Sequence, residues 1–269
     1  MKIAIFHELH AGGARIAVNE IAKKLKRHHT VDLYFVANAE NQQEAPYYSQ
    51  QFFYQFDSKN WQGKNWKIKL YKDSYELYKL SLLHKKVAQK IDSGSYDIVF
   101  VHPSQFTQAP FLLRYLKTKS IYYCEEPLRI IYDATVRISP NVSSFKKIYE
   151  KLNRFIRKSI DRKNVVAADV IFANSAFTQH NILQAYGKKS QIAYLGVDTK
   201  LFVPNKMKKK YDLLYIGAKD VIDGYDLLKD SLVFLKDPPL VKTHDTGGDW
   251  IAENADIHLL YQQTKIVVC

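Results

Sequence analysis

Short, largely apolar runs recur along this chain with stretches of helical periodicity between them, and that alternation fixes the class of fold. Residues 2–6, 31–36, 97–101, 120–124, 169–173 and 191–195 read as strands. Between them, residues 15–27 carry Ile16, Val18, Ile21, Ala22 and Leu25 at helical spacing, and 75–91 carry Leu77, Leu80, Leu83, Val87 and Ile91. Residues 106–116, 145–160 and 175–186 read as further helices, whereas 38–64 is polar, aromatic-rich and unperiodic, the pattern of a surface excursion. Repeated β-α-β units with apolar strands predict an α/β fold: a doubly wound, parallel, Rossmann-like sheet with helices on both faces. Ligands of such sheets gather at the carboxyl ends of the strands.

The rhythm breaks at 196–210, where Pro204 and a basic run at 206–210 suggest a linker. Residues 1–204 are therefore read as a first domain and 205–269 as the start of a second. The second part holds strands at 212–216, 240–243 and 265–269, with helical segments at 224–235 and 258–262. A Rossmann half takes about six strands, so this piece is expected to be incomplete and too small to bury a good core alone.

Charge separates the classes of partner. The formal net charge is +13. Residues 59–90 hold nine lysines against Asp73 and Glu76, and 141–163 hold eight Lys or Arg against Glu150 and Asp161, so these two segments carry the whole excess. A basic face attracts anionic partners. No nucleic-acid recognition motif accompanies it, so nucleic acid is not expected. In 145–160 an apolar stripe of Phe145, Ile148, Tyr149, Leu152, Phe155, Ile156 and Ile160 runs beside cations that include Lys147, Lys151, Arg154 and Lys158. Such a helix either rests on an anionic membrane surface through 141–163 or packs its stripe on the sheet with its lysines solvated.

No apolar run approaches the roughly 18 residues of a membrane span. Glu8 comes too early for a signal-peptide core. The only cysteines, Cys124 and Cys269, imply no disulfide framework and suit a reducing, cytoplasmic location, peripheral at the inner membrane face if the basic helix meets lipid. No Cys/His spacing reads as a zinc site.

After the first strand come Ala11, Gly12, Gly13, Ala14 and Arg15, opening the first helix. Glycines let the backbone approach a ligand, and a helix N-terminus favours an anion. The order is not the dinucleotide-binding G-x-G-x-x-G. Further on, a strand ends in Asn174 and Ser175, a helix ends at Tyr186 and Gly187, and a strand leads to Gly196, Val197, Asp198, Phe202 and Pro204. This segment resembles the one that closes the first domain of family-4 glycosyltransferases. The resemblance extends to 12–15, to Cys124, Glu125, Glu126, Pro127, Leu128 and Arg129, and to 217–228, and so covers nearly all of the chain.

That resemblance implies transfer of a sugar, with retention, from a nucleotide diphosphate sugar to a glycan or lipid-linked acceptor, with no metal and no cofactor besides the donor. The acceptor is implied mainly on the first domain and the nucleotide on the second. Gly12, Gly13, Arg15, Arg129 and Ser175 become candidate substrate contacts, and His102 joins them from its strand end. Ser175 is equally a good helix N-cap. Glu125 aligns with the family's histidine beside the reacting sugar. As the catalytic candidate it either accepts a hydrogen bond from a sugar hydroxyl or acts as a base; otherwise it is a solvent-facing residue at a strand end. For the donor phosphates the candidates are Gly217 and Lys219. Ala218 and Asp223 stand where the family has its phosphate-holding Arg and Lys, and the family's Glu-x7-Glu segment is absent before Cys269. A non-catalytic binding or partner subunit derived from a glycosyltransferase is the alternative those departures leave.

The chain as it stands is accordingly expected to bind nucleotide sugars weakly. Titration calorimetry with UDP- and GDP-sugars checks this; submicromolar affinity for any of them means that the donor site lies elsewhere.

Overall fold

The computed structural model describes residues 1–10, 12–38, 44–59, 61–63, 65–134, 136–205, 207–217, 224–235, 239, 241–244 and 257–268. The chain divides into two compact units, Met1–Leu195 and Gly196–Cys269. Residues 196–204, read above as the tail of the first domain, group with the second unit.

The first unit runs β1 (Lys2–Glu8), α1 (Gly13–Leu25), β2 (Thr30–Ala37), β3 (Gln51–Gln55), α2 (Trp66–Asp92), β4 (Ile98–Ser104), a 3-10 turn (Phe111–Arg114), β5 (Ser120–Cys124), α3 (Arg129–Tyr132), α4 (Ser144–Ala167), β6 (Val170–Ala173), α5 (Ala176–Tyr186) and β7 (Gln191–Ile192). Its seven strands lie in the order β3-β2-β1-β4-β5-β6-β7 and every pair is parallel. This is the doubly wound sheet expected.

Two differences have local causes. Within 38–64 the chain forms β3, an edge strand whose QFFYQ sequence is half-buried and pairs with β2 from Leu33↔Gln51 to Ala37↔Gln55. The helix expected over 106–116 is instead a set of turns ending in four 3-10 residues. The Ser104 hydroxyl accepts from the Phe106 and Thr107 amides, and Pro110 precedes the 3-10 turn, so the segment is pinned before an α-helix can form.

Strand side chains alternate between faces, and the core divides accordingly. Ala4, Phe6, Val99, Val101 and Tyr122 pack on one face under Val87 and Ile91 of α2, Val165 of α4 and Ile182 of α5. Ile3, Ile5, Leu33, Phe100 and Tyr123 pack on the other under Val18 and Ala22 of α1. Helix ends are fixed locally: Asn65 caps α2 by accepting from Lys67 and Ile68, Ser143 caps α4 by accepting from Lys146, and Gly187 ends α5 at a left-handed φ of 69°.

At the end of β1 the faces carry polar groups. Glu8 is fully buried on the α2 side, and its Oε1 lies 2.8 Å from His84 Nε2; the His84 Nδ1 accepts from the Leu112 amide at 3.2 Å. With Nδ1 accepting, Nε2 carries the proton toward Glu8. One side chain thus ties α2, β1 and the 3-10 turn together.

The second unit contains β8 (Tyr211–Ile216), α6 (Tyr225–Leu232), β9 (Val241–His244), α7 (Ile257–Gln263) and β10 (Thr264–Val268), in a parallel sheet of order β10-β8-β9. Among the described residues no helix is long and apolar enough to cross a membrane.

Replacing His84 by Ala leaves the Glu8 carboxylate and the Leu112 amide unpartnered in the core. A loss of roughly 2–6 kcal/mol is expected, about 1–3 kcal/mol for each buried polar group left unsatisfied. Urea unfolding measures it, with the exposed Lys85→Ala as the neutral control.

Candidate functional site

The strand order reverses between β1 and β4, and the crevice of a doubly wound sheet opens where that happens. Here the ladder slips: Phe6 pairs with Val101 but Glu8 with Ser104. The extra residue on β4 falls at His102 and Pro103, and proline, lacking an N–H, is suited to such a bulge. The candidate residues of the first unit stand beside this point, at the carboxyl ends of β1, β4, β5 and β6.

On the α1 face, His7 and His102 are both buried. The His7 Nδ1 accepts from the Leu9 amide at 3.3 Å, and its Nε2 lies 3.4 Å from Glu44 Oε1. Burial, then His102 and Arg15, hold its pKa well below the usual histidine range. His102 is pushed down to about 3 by burial alone. Neither of its ring nitrogens has a hydrogen-bond partner among the described residues. Its ring sits 4.6 Å from Phe100 and 5.5 Å from Tyr123. Burial thus disfavours the charged form of both imidazoles.

Arg15 is ion-paired, with Nη2 2.7 Å from Glu44 Oε1. Burial raises the Glu44 pKa while Arg15 opposes it. Gly12 caps α1 in extended backbone without a side-chain hydrogen bond, and the first turn holds no acidic residue. A Cβ on Gly13 would meet nothing within 4 Å. The opening amides of α1 are thus suited to an anion.

The loop after β5 holds the second group. Glu125 keeps one carboxylate oxygen, Oε1, without a partner. Burial, and then Glu126, push its pKa up to about 7. Several bonds fix the loop: Thr178 Oγ1 donates to the Glu125 carbonyl at 3.1 Å, Gln108 Nε2 to the Glu126 carbonyl at 3.1 Å, and the Leu128 amide to the Tyr186 hydroxyl at 3.2 Å. Tyr186 in turn donates to buried Asp161 at 2.7 Å. Burial pushes the Asp161 pKa up to about 7 against the bonds from Tyr186 and the Ala109 amide. Ser175 caps α5, accepting from the Thr178 amide at 3.1 Å, so it supports the Glu125 loop through Thr178. Arg129 Nε meets Glu126 Oε2 at 2.7 Å on the surface.

The structure therefore gathers Gly12, Gly13, Arg15 and His102 at one side of the sheet edge, and Glu125, Arg129 and Ser175 at the other. In the second unit Gly217 follows β8 with a φ of 155°. Lys219, Ala218 and Asp223 lie outside the described residues. A cavity of about 280 Å³ lined by Phe202, Asn205, Lys209, His258 and Tyr261 sits where β8 and β10 begin, the opposite end from a nucleotide crevice. Among the described residues no group of three or more His, Cys, Asp or Glu could hold a metal ion. Sequence reasoning missed Glu44, Thr178 and Asp161, whose partners lie far off along the chain.

A family model described as Glycosyltransferase Family 4 matches residues 11–201. No curated protein matches the sequence. Among solved structures, HepE of Anabaena in complex with UDP is 17% identical, with a TM-score of 0.55 over 99% of this chain and 68% of that one. An alpha-glucosyltransferase in complex with UDP and a 13-mer DNA is 11% identical, with a TM-score of 0.51 over 99% and 71%. CalG4, the calicheamicin glycosyltransferase, is 9% identical, with a TM-score of 0.50 over 98% and 70%. At these identities the likeness is one of fold.

The Asp161–Tyr186 bond generates a pH test. The Asp161 pKa lies above its ordinary value of 3.8 in the folded chain, so its stabilising contribution is complete below about 4 and is lost as pH rises through about 7. Asp161→Asn, which can still accept from Tyr186, is expected to flatten that part of the Tm-against-pH curve.

Proposed function

The chain belongs to glycosyltransferase family 4, and we propose that it transfers a sugar from a nucleotide diphosphate sugar to a glycan or lipid-linked acceptor, with retention and without a metal. The observation that carries this reading is Glu125: a half-buried carboxyl with a free oxygen at the end of β5, inside the segment matched to the family. The UDP bound by HepE and by the alpha-glucosyltransferase supports a uridine nucleotide as donor.

In this reading the Glu125 carboxylate accepts a hydrogen bond from a hydroxyl of the reacting sugar. The bond strengthens as positive charge develops on the sugar ring and so favours the transition state over the ground state. The opening amides of α1 favour an anionic group of the substrate. Ser175, through Thr178, and Tyr186, through Leu128, are positioning residues for the Glu125 loop. Arg15 and Arg129, each already facing a carboxylate, shape the edge and leave it nearly neutral.

A pKa near 7 makes the carboxylate form increase as pH rises through neutrality. Transfer measured with millimolar UDP- and GDP-sugars is expected to climb across that range, and EDTA is expected to leave it unchanged. Glu125→Gln should lower kcat by roughly 100-fold and remove the pH limb. An unchanged pH profile in the Gln variant overturns the role of Glu125; no transfer from any donor to glycan or lipid-linked acceptors overturns the reading as a whole.

A further inference from the structure

Among the described residues two besides glycine have a positive φ, Ser95 at 53° and Gln108 at 61°. Ser95 follows the last turn of α2, where helices commonly end in this conformation. Gln108 needs another reason. The left-handed region suits glycine and, less well, asparagine and aspartate, whose short side chains bond to their own backbone. Glutamine has no such local reward. A residue held there costs free energy and persists only where its surroundings fix it.

Both backbone groups of Gln108 are fixed. Its amide donates to the Ser104 carbonyl at 2.9 Å, and its carbonyl accepts from the Ser104 amide at 2.8 Å and from the Tyr122 hydroxyl at 3.3 Å. Ser104 pairs with Glu8 in the β1–β4 ladder, so this closed turn is anchored to the centre of the sheet. The side chain leaves the turn and crosses to the loop after the next strand. Its Nε2 donates to the Glu126 carbonyl at 3.1 Å, and the Cys124 thiol donates to the same oxygen at 3.3 Å. Thr178 grips the Glu125 carbonyl from α5. Two successive carbonyls are thus held from opposite flanks of β5, which fixes the peptide units that follow the Glu125 side chain.

We propose that Gln108 is a positioning residue for Glu125, kept in a strained conformation for the reach of its side chain. The inference rests on the reading of Glu125 as the carboxylate that meets the reacting sugar. Side-chain chemistry narrows the choice at this position to glutamine. Asparagine suits the backbone better, but it is one methylene shorter and leaves the Gln108 bond to the Glu126 carbonyl unmade. Glycine relaxes the backbone but brings no donor. Glutamate has the length, but it offers acceptors to a carbonyl and adds a negative charge beside Glu125 and Glu126. A residue chosen for its backbone alone would be glycine.

NMR of the full chain with isotope-labelled glutamate carboxyls tests this apart from turnover, with Glu125→Gln identifying the Glu125 signal. The wild-type Glu125 midpoint is expected near 7. In Gln108→Gly and in Gln108→Asn it is expected to fall toward the ordinary carboxylate range, because the released loop lets water reach the carboxyl. Neither change alters Glu126 or Arg129, so the charges around Glu125 stay as they are. The Tm of Gln108→Gly should hold or rise, since the strained φ is relieved. In transfer assays kcat should fall about 10-fold, with the KM for the donor unchanged and the pH limb displaced downward. The same substitution made in the Glu125→Gln chain should cost nothing further. A wild-type Glu125 midpoint in both Gln108 variants overturns the proposal, as does a fully additive loss in the double variant. A Glu125→Gln chain that transfers like the wild type overturns the reading of Glu125 instead, and a midpoint that still moves with Gln108 leaves the positioning in place.

Discussion

His7 and Glu8, at the carboxyl end of β1, owe their places to the two-residue period of a parallel strand. His7 and Glu8 are neighbours in sequence, yet they face opposite sides of the sheet. His7 enters the layer under α1 and meets Glu44 and His102, while Glu8 enters the layer under α2 and meets His84. A shift of one residue in β1 would exchange them, bury the wrong group in each layer and misplace Ile3 and Ile5 as well. The sheet has no tolerance for that, because both of its faces are core.

Within that frame the protein treats its charges unevenly. Arg15 and Arg129, which the family resemblance offered as substrate contacts, each face a carboxylate, Glu44 and Glu126 respectively. Glu125 is raised by burial and by Glu126 beside it. A partly desolvated carboxyl with one unpartnered oxygen costs stability. Thr178 and Gln108, which donate to the carbonyls of Glu125 and Glu126, and Tyr186, which accepts from the Leu128 amide, hold the backbone at 125–128.

The fold was legible in the sequence wherever burial is two-sided. Strands such as β1 and β4 carry continuous apolar runs, and α2 carries Leu77, Leu80, Val87 and Ile91 at helical intervals. β3 escaped notice because an edge strand is half-exposed and its glutamines at both ends read as loop. The expected helix over 106–116 failed because Ser104 holds its beginning and Pro110 interrupts it, while beyond its end the Asp92 carboxylate accepts from the amides of Lys117 and Thr118. In the site, the glycine turn could be read from its place between the first strand and the first helix, and Glu125 from the resemblance to the family. Glu44 could not, since its partnership with Arg15 spans a stretch with no periodicity. The stripe on α4 was visible as a pattern, but which half of it faces solvent depends on what packs against it.

The pairing of β1 with β4 has a consequence in time. The Lys2 amide bonds to the Asp97 carboxylate, 95 residues away in sequence. β1 is synthesised well before β4, yet it takes a central position whose second neighbour is made only after α2 is complete. Until then a strand of almost wholly buried character has one partner, β2, and an open edge. Parallel, non-local pairings of this kind fold slowly. On a ribosome adding about 5–20 residues per second, this apolar strand waits several seconds for its other half, and its open edge is exposed throughout that interval.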